Sequence, residues 1–396
     1  MGYVILEIIF WTSFFLVAYT YLGYAVLVSV FVKIKHAVEP KVDLLLHNDD
    51  ELPTCSLVIP SYNEADFIAE KAHNSLALEY PKDKFEIIFV TDGSNDGTPD
   101  VLRKIPGVQV WHSEERKGKI AAMNRAMTRL RSEITVFCDA NTMLNSQCIK
   151  QLVKHYQDPL VGGVSGEKIV LSESEDAASG AGEGIYWKYE SYLKRKDAEL
   201  KTLVGSAGEL FSIRTALYKP VEADSILDDF MVSMRLVQDG YKVAYEPSAT
   251  ASETASVNVA EEYKRKVRIA AGGFQSIQRL RKLYNPIKYG LVTFEFVSHR
   301  VMRWAVAPFM LPIILVSNAL LLLQGGAFIY QLLMLGQVLF YGAALLGWLL
   351  ESRKLKVKLL FVPFYFSMMN YAVMAGYVRF VKGSQTALWE KSKRRQ

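Results

Sequence analysis

Three stretches of this chain place carboxylates in short polar turns directly after apolar runs: Ile59-Pro60-Ser61-Tyr62-Asn63-Glu64, Val90-Thr91-Asp92-Gly93-Ser94-Asn95-Asp96-Gly97-Thr98 and Phe137-Cys138-Asp139-Ala140-Asn141-Thr142. Taken singly, Asp-Gly-Ser and Asp-Gly-Thr are ordinary turn chemistry. Taken together they point to one site, because ligands of an open α/β sheet bind just beyond the carboxyl ends of its strands. The sequence has no Gly-x-Gly-x-x-Gly after the first run and no Gly-x-x-x-x-Gly-Lys-[Ser/Thr] anywhere, so the usual backbone cradles for phosphate are missing. A carboxylate with Mg2+ or Mn2+ does the same work, since these hard cations prefer oxygen ligands and bridge phosphate oxygens.

The elements that must position these turns follow from the apolar pattern. Strands are expected at 56–59, 86–90, 108–111 and 134–138, and helices at 64–78, 99–104 and 119–130, an alternation that gives an α/β domain. Beyond it we expect a Gly-rich, hairpin-like stretch at 161–171 and a flexible loop at Gly180, Gly182 and Gly184. An amphipathic helix at 184–200, a helix at 228–238 and a strand at 242–245 follow. Residues 259–283 read as a long basic amphipathic helix near a membrane surface.

Apolar residues make up 51% of the 396 and concentrate at the two ends. Residues 4–32 carry only Glu7 as a charge and exceed the ~20 residues that span a bilayer. A cleavable signal peptide is the rival reading, but the stretch has neither a basic start nor a small-residue cleavage site. Three further apolar segments cover 304–323, 327–350 and 359–381, with 298–304 expected in the interface. Pro363 and Asn370 mark the last segment. It either crosses, which leaves the basic tail outside, or is re-entrant or interfacial, which keeps the tail with the other basic residues; the second is expected. The net charge of +5 is mild. Its basic residues flank the apolar segments at Lys33 and Lys35, 264–282, 353–358 and 391–395, which suits the cytoplasmic side. No aromatic-interleaved basic patch suggests nucleic acid. Cys55, Cys138 and Cys148 fit buried free thiols. The six histidines lack metal-like spacing and read as surface or interface residues, and Trp304 and Trp389 suit membrane interfaces. The organisation is therefore a transmembrane helix (1–34), a linker (35–52), a catalytic domain (53–258), interfacial helices (259–303), transmembrane segments (304–383) and a basic tail (384–396).

Over about residues 53–283 the motifs resemble the family 2 glycosyltransferases with the GT-A fold, whose superfamily includes the membrane synthases of cellulose, hyaluronan and poly-N-acetylglucosamine. The resemblance implies a GT-A α/β domain with α-helical transmembrane segments at both ends. It implies that Pro60, Tyr62, Glu64 and Asp92 contact the nucleoside of a UDP-sugar donor. Lys119, in Lys117-Gly118-Lys119-Ile120-Ala121-Ala122-Met123-Asn124, would contact the donor or its diphosphate, with a solvated lysine as the alternative. The family's D-x-D metal motif aligns with Asp139-Ala140-Asn141. Here the last ligand is an amide that brings no charge, so Asp139 becomes the main protein ligand for Mg2+ or Mn2+.

In Leu227-Asp228-Asp229-Phe230, Asp229 matches the family's catalytic base and Asp228 lies on the acceptor side. The alternative is a capping or first-turn carboxylate, which helix starts favour anyway. Gly205, Ser206 and Gly208, in Leu203-Val204-Gly205-Ser206-Ala207-Gly208-Glu209-Leu210, match the small-residue segment that an acceptor sugar approaches; a tight turn between strands is the alternative. The Q-x-x-R-W motif aligns imperfectly with Arg265-Lys266-Val267-Arg268-Ile269. Arg268 survives as a diphosphate ligand, while the Gln and Trp do not; binding of anionic lipid is the alternative. The expected protein is an inverting, metal-dependent transferase in a bacterial inner membrane with its catalytic domain in the cytoplasm. Its acceptor would be a polysaccharide or lipid-linked glycan, and association with an oligomer or partner subunit is open. A glycolipid synthase and a non-catalytic nucleotide-sugar-binding scaffold are the other readings.

Overall fold

The computed structural model describes residues 2–39, 44, 48–171, 178–254, 258–353 and 357–386. The basic tail at 387–396, including Trp389, and linker positions 40–43 and 45–47 lie outside the described residues. The strands are β1 Cys55–Ser61, β2 Phe85–Asp92, β3 Gln109–Ser113, β4 Ile134–Cys138, β5 Met143–Leu144, β6 Val161–Leu171, β7 Leu210–Arg214 and β8 Lys242–Thr254. The helices are α1 Gly2–Ala18, α2 Tyr24–Val38, α3 Ile68–Leu76, α4 Thr98–Arg103, α5 Lys119–Met127, α6 Cys148–Val153, α7 Ala178–Leu200 and α8 Asp228–Gln238. They continue with α9 Val259–Arg279, α10 Pro286–Tyr289, α11 Leu291–Glu295, α12 Ala307–Leu323, α13 Phe328–Ser352 and α14 Lys358–Val381.

One mixed sheet runs in the order β3-β2-β1-β4-β7-β6-β8-β5. Its first four strands are parallel and β7 opposes β4. Strand periodicity sends alternate side chains to opposite faces. Leu57, Ile59, Ile87, Phe89, Ile134 and Val136 pack on one face with Ile68 of α3, Leu102 of α4 and Leu152 of α6. Val58, Ile88, Val90 and Phe137 pack on the other with Met123 of α5 and Phe230 and Met234 of α8. Both faces are buried, as a parallel sheet requires.

Residues 161–171 form one strand, not a hairpin. The glycines there serve close approach: a Cβ on Gly163 would lie 2.9 Å from the Phe211 ring, and one on Gly166 would lie 2.4 Å from Leu210. Gly180, Gly182 and Gly184 fall inside α7 rather than in a loop, because tertiary packing farther along a helix overrides a glycine cost of about 1 kcal/mol each. The strand expected at 242–245 runs on to Thr254, as it keeps pairing with β6 and β5. The amphipathic helix ends at Arg279, followed by a 3-10 turn at Arg281–Tyr284. All three cysteines are buried and free.

Among the described residues, four helical runs are long and apolar enough to cross a membrane: Gly2–Val38, Leu291–Leu323, Phe328–Glu351 and Leu359–Val381. The last is an unbroken helix despite Pro363, so the segment forms no re-entrant hairpin. Polar groups within the runs answer one another, as burial in hydrocarbon demands: Tyr330 Oη donates to Glu7 at 2.8 Å, and Tyr21 Oη donates to Asn370 at 2.6 Å. The helix α9 is wedged between the catalytic domain and the spans rather than lying free on a surface. Gly376 of α14 meets it so closely that a Cβ would stand 2.5 Å from Ala270, and one on Gly273 would stand 2.7 Å from Trp304.

The second run is helical from Leu291 onward, with a π-helical stretch at Phe296–Val306 that bridges α11 and α12. Ser298, His299, Arg300, Arg303 and Trp304 are buried against the catalytic domain. His299, expected at the surface or an interface, is 1% exposed, and its Nδ1 lies 2.5 Å from the Asp197 carboxylate of α7. Tyr24 Oη of the first run donates to the other oxygen of Asp197 at 2.5 Å. Glu190, two turns earlier on the same face of α7, accepts from Arg300 at 2.8 Å and from Arg303. Two membrane runs are thus fastened to one catalytic-domain helix through buried charges.

Candidate active site

Parallel pairing brings the three polar turns together. Ser61 of β1 is in register with Thr91 of β2, and Val58 with Phe137 of β4, so the carboxyl ends of all three strands open on one edge. A cleft there is lined by Pro60, Ser61, Tyr62, Asp92, Arg116 and Lys119 among others. Asp92 is 4% exposed. One of its oxygens accepts from the backbone N–H groups of Lys117 at 2.8 Å and Gly118 at 2.6 Å, which pins the loop that starts α5. Arg116 lies 3.9 Å over the Tyr62 ring, forming a flat cationic platform suited to a nucleobase or phosphate. Glu64 is not among the lining residues. It is buried beneath the turn, its N–H donating to Thr98 Oγ1 at 2.9 Å.

Lys119, first residue of α5, joins this cleft to a cluster of acids. Its Nζ stands 2.7 Å from Asp139 Oδ1 and 3.5 Å from Asp228 Oδ2. A Cβ on Gly208 would lie 3.3 Å from both Lys119 Nζ and Asp229 Oδ2, so Asp229 and the Gly205–Gly208 loop face the same point. Burial would weaken the Lys119 ammonium, but Asp139, Asp228 and Asp229 outweigh it and hold the lysine cationic. The Asp229 carboxyl is pushed up to about 7, first by burial and then by neighbouring Asp228, against the pull of Lys119. Burial also raises Asp139, with Lys119 opposing it. Three carboxylates around one ammonium leave the cluster negative. Asp228 Oδ2 is buried without a hydrogen-bond partner.

This donor set fits a hard divalent cation only in part. Among the described residues no three His, Cys, Asp or Glu side chains are grouped to hold a metal. Asp139 and the amide of Asn141 offer two protein oxygens, and a diphosphate would supply the rest. The turn carrying them is braced from behind by Lys71, which is fully buried and donates to the Thr142 carbonyl at 2.7 Å and to Cys138 Sγ at 3.1 Å. Sequence reading missed Lys71, because a lysine inside an amphipathic helix gives no local sign of burial.

Asp228 and Asp229 occupy the first turn of α8. The N-cap is Leu227, which makes no side-chain cap bond, so neither aspartate caps the helix. The Asp229 carbonyl accepts from Ser206 Oγ at 2.9 Å and Ser233 Oγ at 2.8 Å, which stitches the small-residue loop to α8. Gly205 has φ +89° and a Cβ there would lie 2.1 Å from Phe230. Gly205→Ala should therefore destabilise the protein by on the order of 2 kcal/mol or more. Thermal unfolding of the purified variant checks this, and an unchanged midpoint would show that the loop has slack.

Arg268 is half-buried on α9 and its Nε has no hydrogen-bond partner. No ion pair joins it to Asp139, Asp228 or Asp229. Further along the chain, Arg300-Val301-Met302-Arg303-Trp304 repeats the x-x-Arg-Trp spacing sought at 265–269, and this is the signal that sequence reading passed over. Arg300 Nε donates to the Val204 carbonyl at 2.8 Å, immediately before Gly205. Trp304 packs 5.4 Å from Phe230, centroid to centroid, beside Asp229.

Comparison with known proteins agrees with this geometry. Residues 56–219 match the model of glycosyl transferase family 2. The poly-beta-1,6-N-acetyl-D-glucosamine synthase of Staphylococcus aureus is 27% identical over 268 residues, covering 65% of this chain and 62% of that protein. The synthase of the same name from Staphylococcus epidermidis is 25% identical over 241 residues, covering 59% and 57%. The match thus spans less than two thirds of the length of these relatives. The solved structure of mannosyltransferase PcManGT from Pyrobaculum calidifontis, in complex with GDP-Man and Mn2+, superposes with a TM-score of 0.70 at 22% identity, covering 96% of this chain and 99% of that one. That likeness speaks for the fold. Family model, relatives and fold converge: residues 56–219 form a glycosyl transferase family 2 domain in a GT-A-like fold, flanked by helices long and apolar enough to cross a membrane, in a chain similar to the polysaccharide synthases.

Proposed function

We propose that this enzyme moves a sugar from a UDP-sugar to a growing polysaccharide or lipid-linked glycan, inverting the anomeric configuration. The observation that supports this most is the meeting of Asp139, Asp228 and Asp229 around Lys119 beside the cleft that holds Asp92. Pro60, Tyr62 and Asp92 would receive the nucleoside, with Arg116 stacked on Tyr62 closing one side. Asp139 and Asn141 would hold Mg2+ or Mn2+, which supplies charge neutralisation for the diphosphate.

The acceptor hydroxyl oxygen attacks the anomeric carbon as the bond from that carbon to the diphosphate oxygen breaks. Asp229 takes the hydroxyl proton, and the electron pair of the broken bond leaves on the nucleoside diphosphate. Lys119 lies close enough to Asp139 to balance charge as the diphosphate departs. Gly205, Ser206 and Gly208 leave room for a sugar to approach Asp229. The names of the staphylococcal relatives favour N-acetylglucosamine as the sugar, and GDP-Man in the Pyrobaculum calidifontis neighbour marks the main competitor. We place the catalytic domain in the cytoplasm of a bacterial inner membrane, beside the Lys33 and Lys35 end of the first span.

The test is nucleoside diphosphate release by the purified chain in lipid, with UDP-N-acetylglucosamine, UDP-glucose and GDP-mannose offered separately. Release from a UDP-sugar, at least tenfold higher with Mg2+ or Mn2+ than with EDTA, is the expected result. Silence with every donor, or equal release after chelation, would remove the donor or the metal from the reading. A labelled product of one or two sugars rather than a ladder would favour a glycolipid synthase.

A further inference from the structure

Away from the acid cluster, a second and larger crevice opens where the first membrane run, the end of α7, the start of β8 and the start of the second run meet. Its lining divides in two. Phe31, Ile34 and Leu291 form an apolar side, 36%, 58% and 43% exposed. All three belong to helical runs that are long and apolar enough to cross a bilayer, and they leave apolar surface open in the crevice. Lys35, Lys201 and Lys242 form the other side, with Glu39 the only acid among the described lining residues.

The lysines are held in different ways. Lys35 donates to the carbonyls of Glu199 and Leu200, at 2.9 and 2.8 Å. It thereby caps α7 and spends two of an ammonium's three N–H donors, fixing the cation with one donor left. Lys242 is bridged to Asp158 at 3.2 Å and is 37% exposed at its side chain. Lys201 is exposed and makes no ion pair among the described residues. A soluble anion would find the ammonium groups but gain nothing from the apolar side. A zwitterionic headgroup would bring its own cation among three others. Only a ligand with a net negative head on an apolar tail uses both halves.

We propose that this crevice binds the headgroup of an anionic phospholipid, its phosphate among Lys35, Lys201 and Lys242 and its chains over Phe31, Ile34 and Leu291. Occupation would tie the first span, α7 and the second span together at the level of the lipid phosphates. The proposal rests on the membrane-spanning runs and not on the identity of the donor or acceptor.

The experiment uses the full chain in detergent, incubated with equal amounts of phosphatidylglycerol and phosphatidylcholine and analysed by native mass spectrometry. Wild type is expected to retain one phosphatidylglycerol in preference. Lys201→Ala, at an exposed side chain whose loss should not impair folding, is expected to lower that preference about fivefold, and Lys201→Ala with Lys242→Ala further. Lys219→Ala, a surface lysine outside the crevice lining and paired with Asp239, should leave it unchanged. Equal retention of the two lipids by wild type, an unchanged preference in the Lys201→Ala protein, or an equal loss in the Lys219→Ala control would each overturn the assignment. An independent readout is photocrosslinking with a phosphatidylglycerol bearing a diazirine on its acyl chain. Label should fall on peptides containing residues 31–34 or 291, and label confined to other spans would count against the site.

Discussion

Replacing Asp229 by Asn should lower turnover by about 10²- to 10⁴-fold, the usual worth of a positioned general base, while donor affinity changes only a few-fold. The amide keeps the shape of the carboxyl and the two hydrogen bonds its backbone carbonyl receives from Ser206 and Ser233, so the loop should stay in place. What is lost is the ability to accept a proton beside Gly208. The native carboxyl sits near 7 because burial and Asp228 disfavour its charge more than Lys119 favours it. A base must be ionised to act, so kcat/KM should rise about tenfold per pH unit below that value and level off above it. The Asn variant should lack this limb. The same shift acts on stability in the opposite sense. The folded state holds the proton more tightly than the unfolded chain, so that contribution is complete below about pH 4 and is lost as the pH rises through about 7. Retained turnover, or an unchanged acidic limb in the Asn variant, would move the base elsewhere.

Glu190→Gln should cost about 3–5 kcal/mol of stability, the range for removing one partner of a buried ion pair. Glu190, Arg300 and Arg303 are all less than a tenth exposed. Burial alone would raise the Glu190 carboxyl, yet Arg300 and Arg303 outweigh it and hold it well below the usual carboxylate range. Without that charge two guanidinium groups stay buried against a neutral amide. Thermal unfolding in detergent should show a midpoint drop of several degrees, partly recovered in the double variant Glu190→Gln, Arg300→Met. Arg300 also holds the Val204 carbonyl next to Gly205, so the single variant should lose activity at temperatures where it is still folded. A midpoint equal to wild type would mean that water reaches these groups and that the network is not sealed.

Much of the catalytic half was legible because its signals are local. Ile134-Thr135-Val136-Phe137-Cys138 alternates between the two cores and ends at a charged turn, so both its strand type and its bounds could be read. Asp228 to Gln238 was legible as a helix from its apolar spacing. The membrane-entry stretch was not. Arg300 and Arg303 flank an apolar run, where basic residues ordinarily sit among headgroups, and only Glu190, more than a hundred positions earlier, makes them buried residues. His299 depends in the same way on Asp197. The glycines of 161–171 failed for another reason: a turn and a close approach to Phe211 or Leu210 ask for the same residue.

The joint of Tyr24, Asp197 and His299 bears on how this protein can be made and handled. Asp197 is closed off by one group encoded before the catalytic domain and another encoded after it. A ribosome that has finished the sheet has therefore not finished the enzyme, since α7 still waits for a helix that must first enter the bilayer. Trimming the chain to residues 53–258 would strand Asp197 and Glu190 without their closing groups, and the excised piece should aggregate where the full-length protein remains dispersed in detergent.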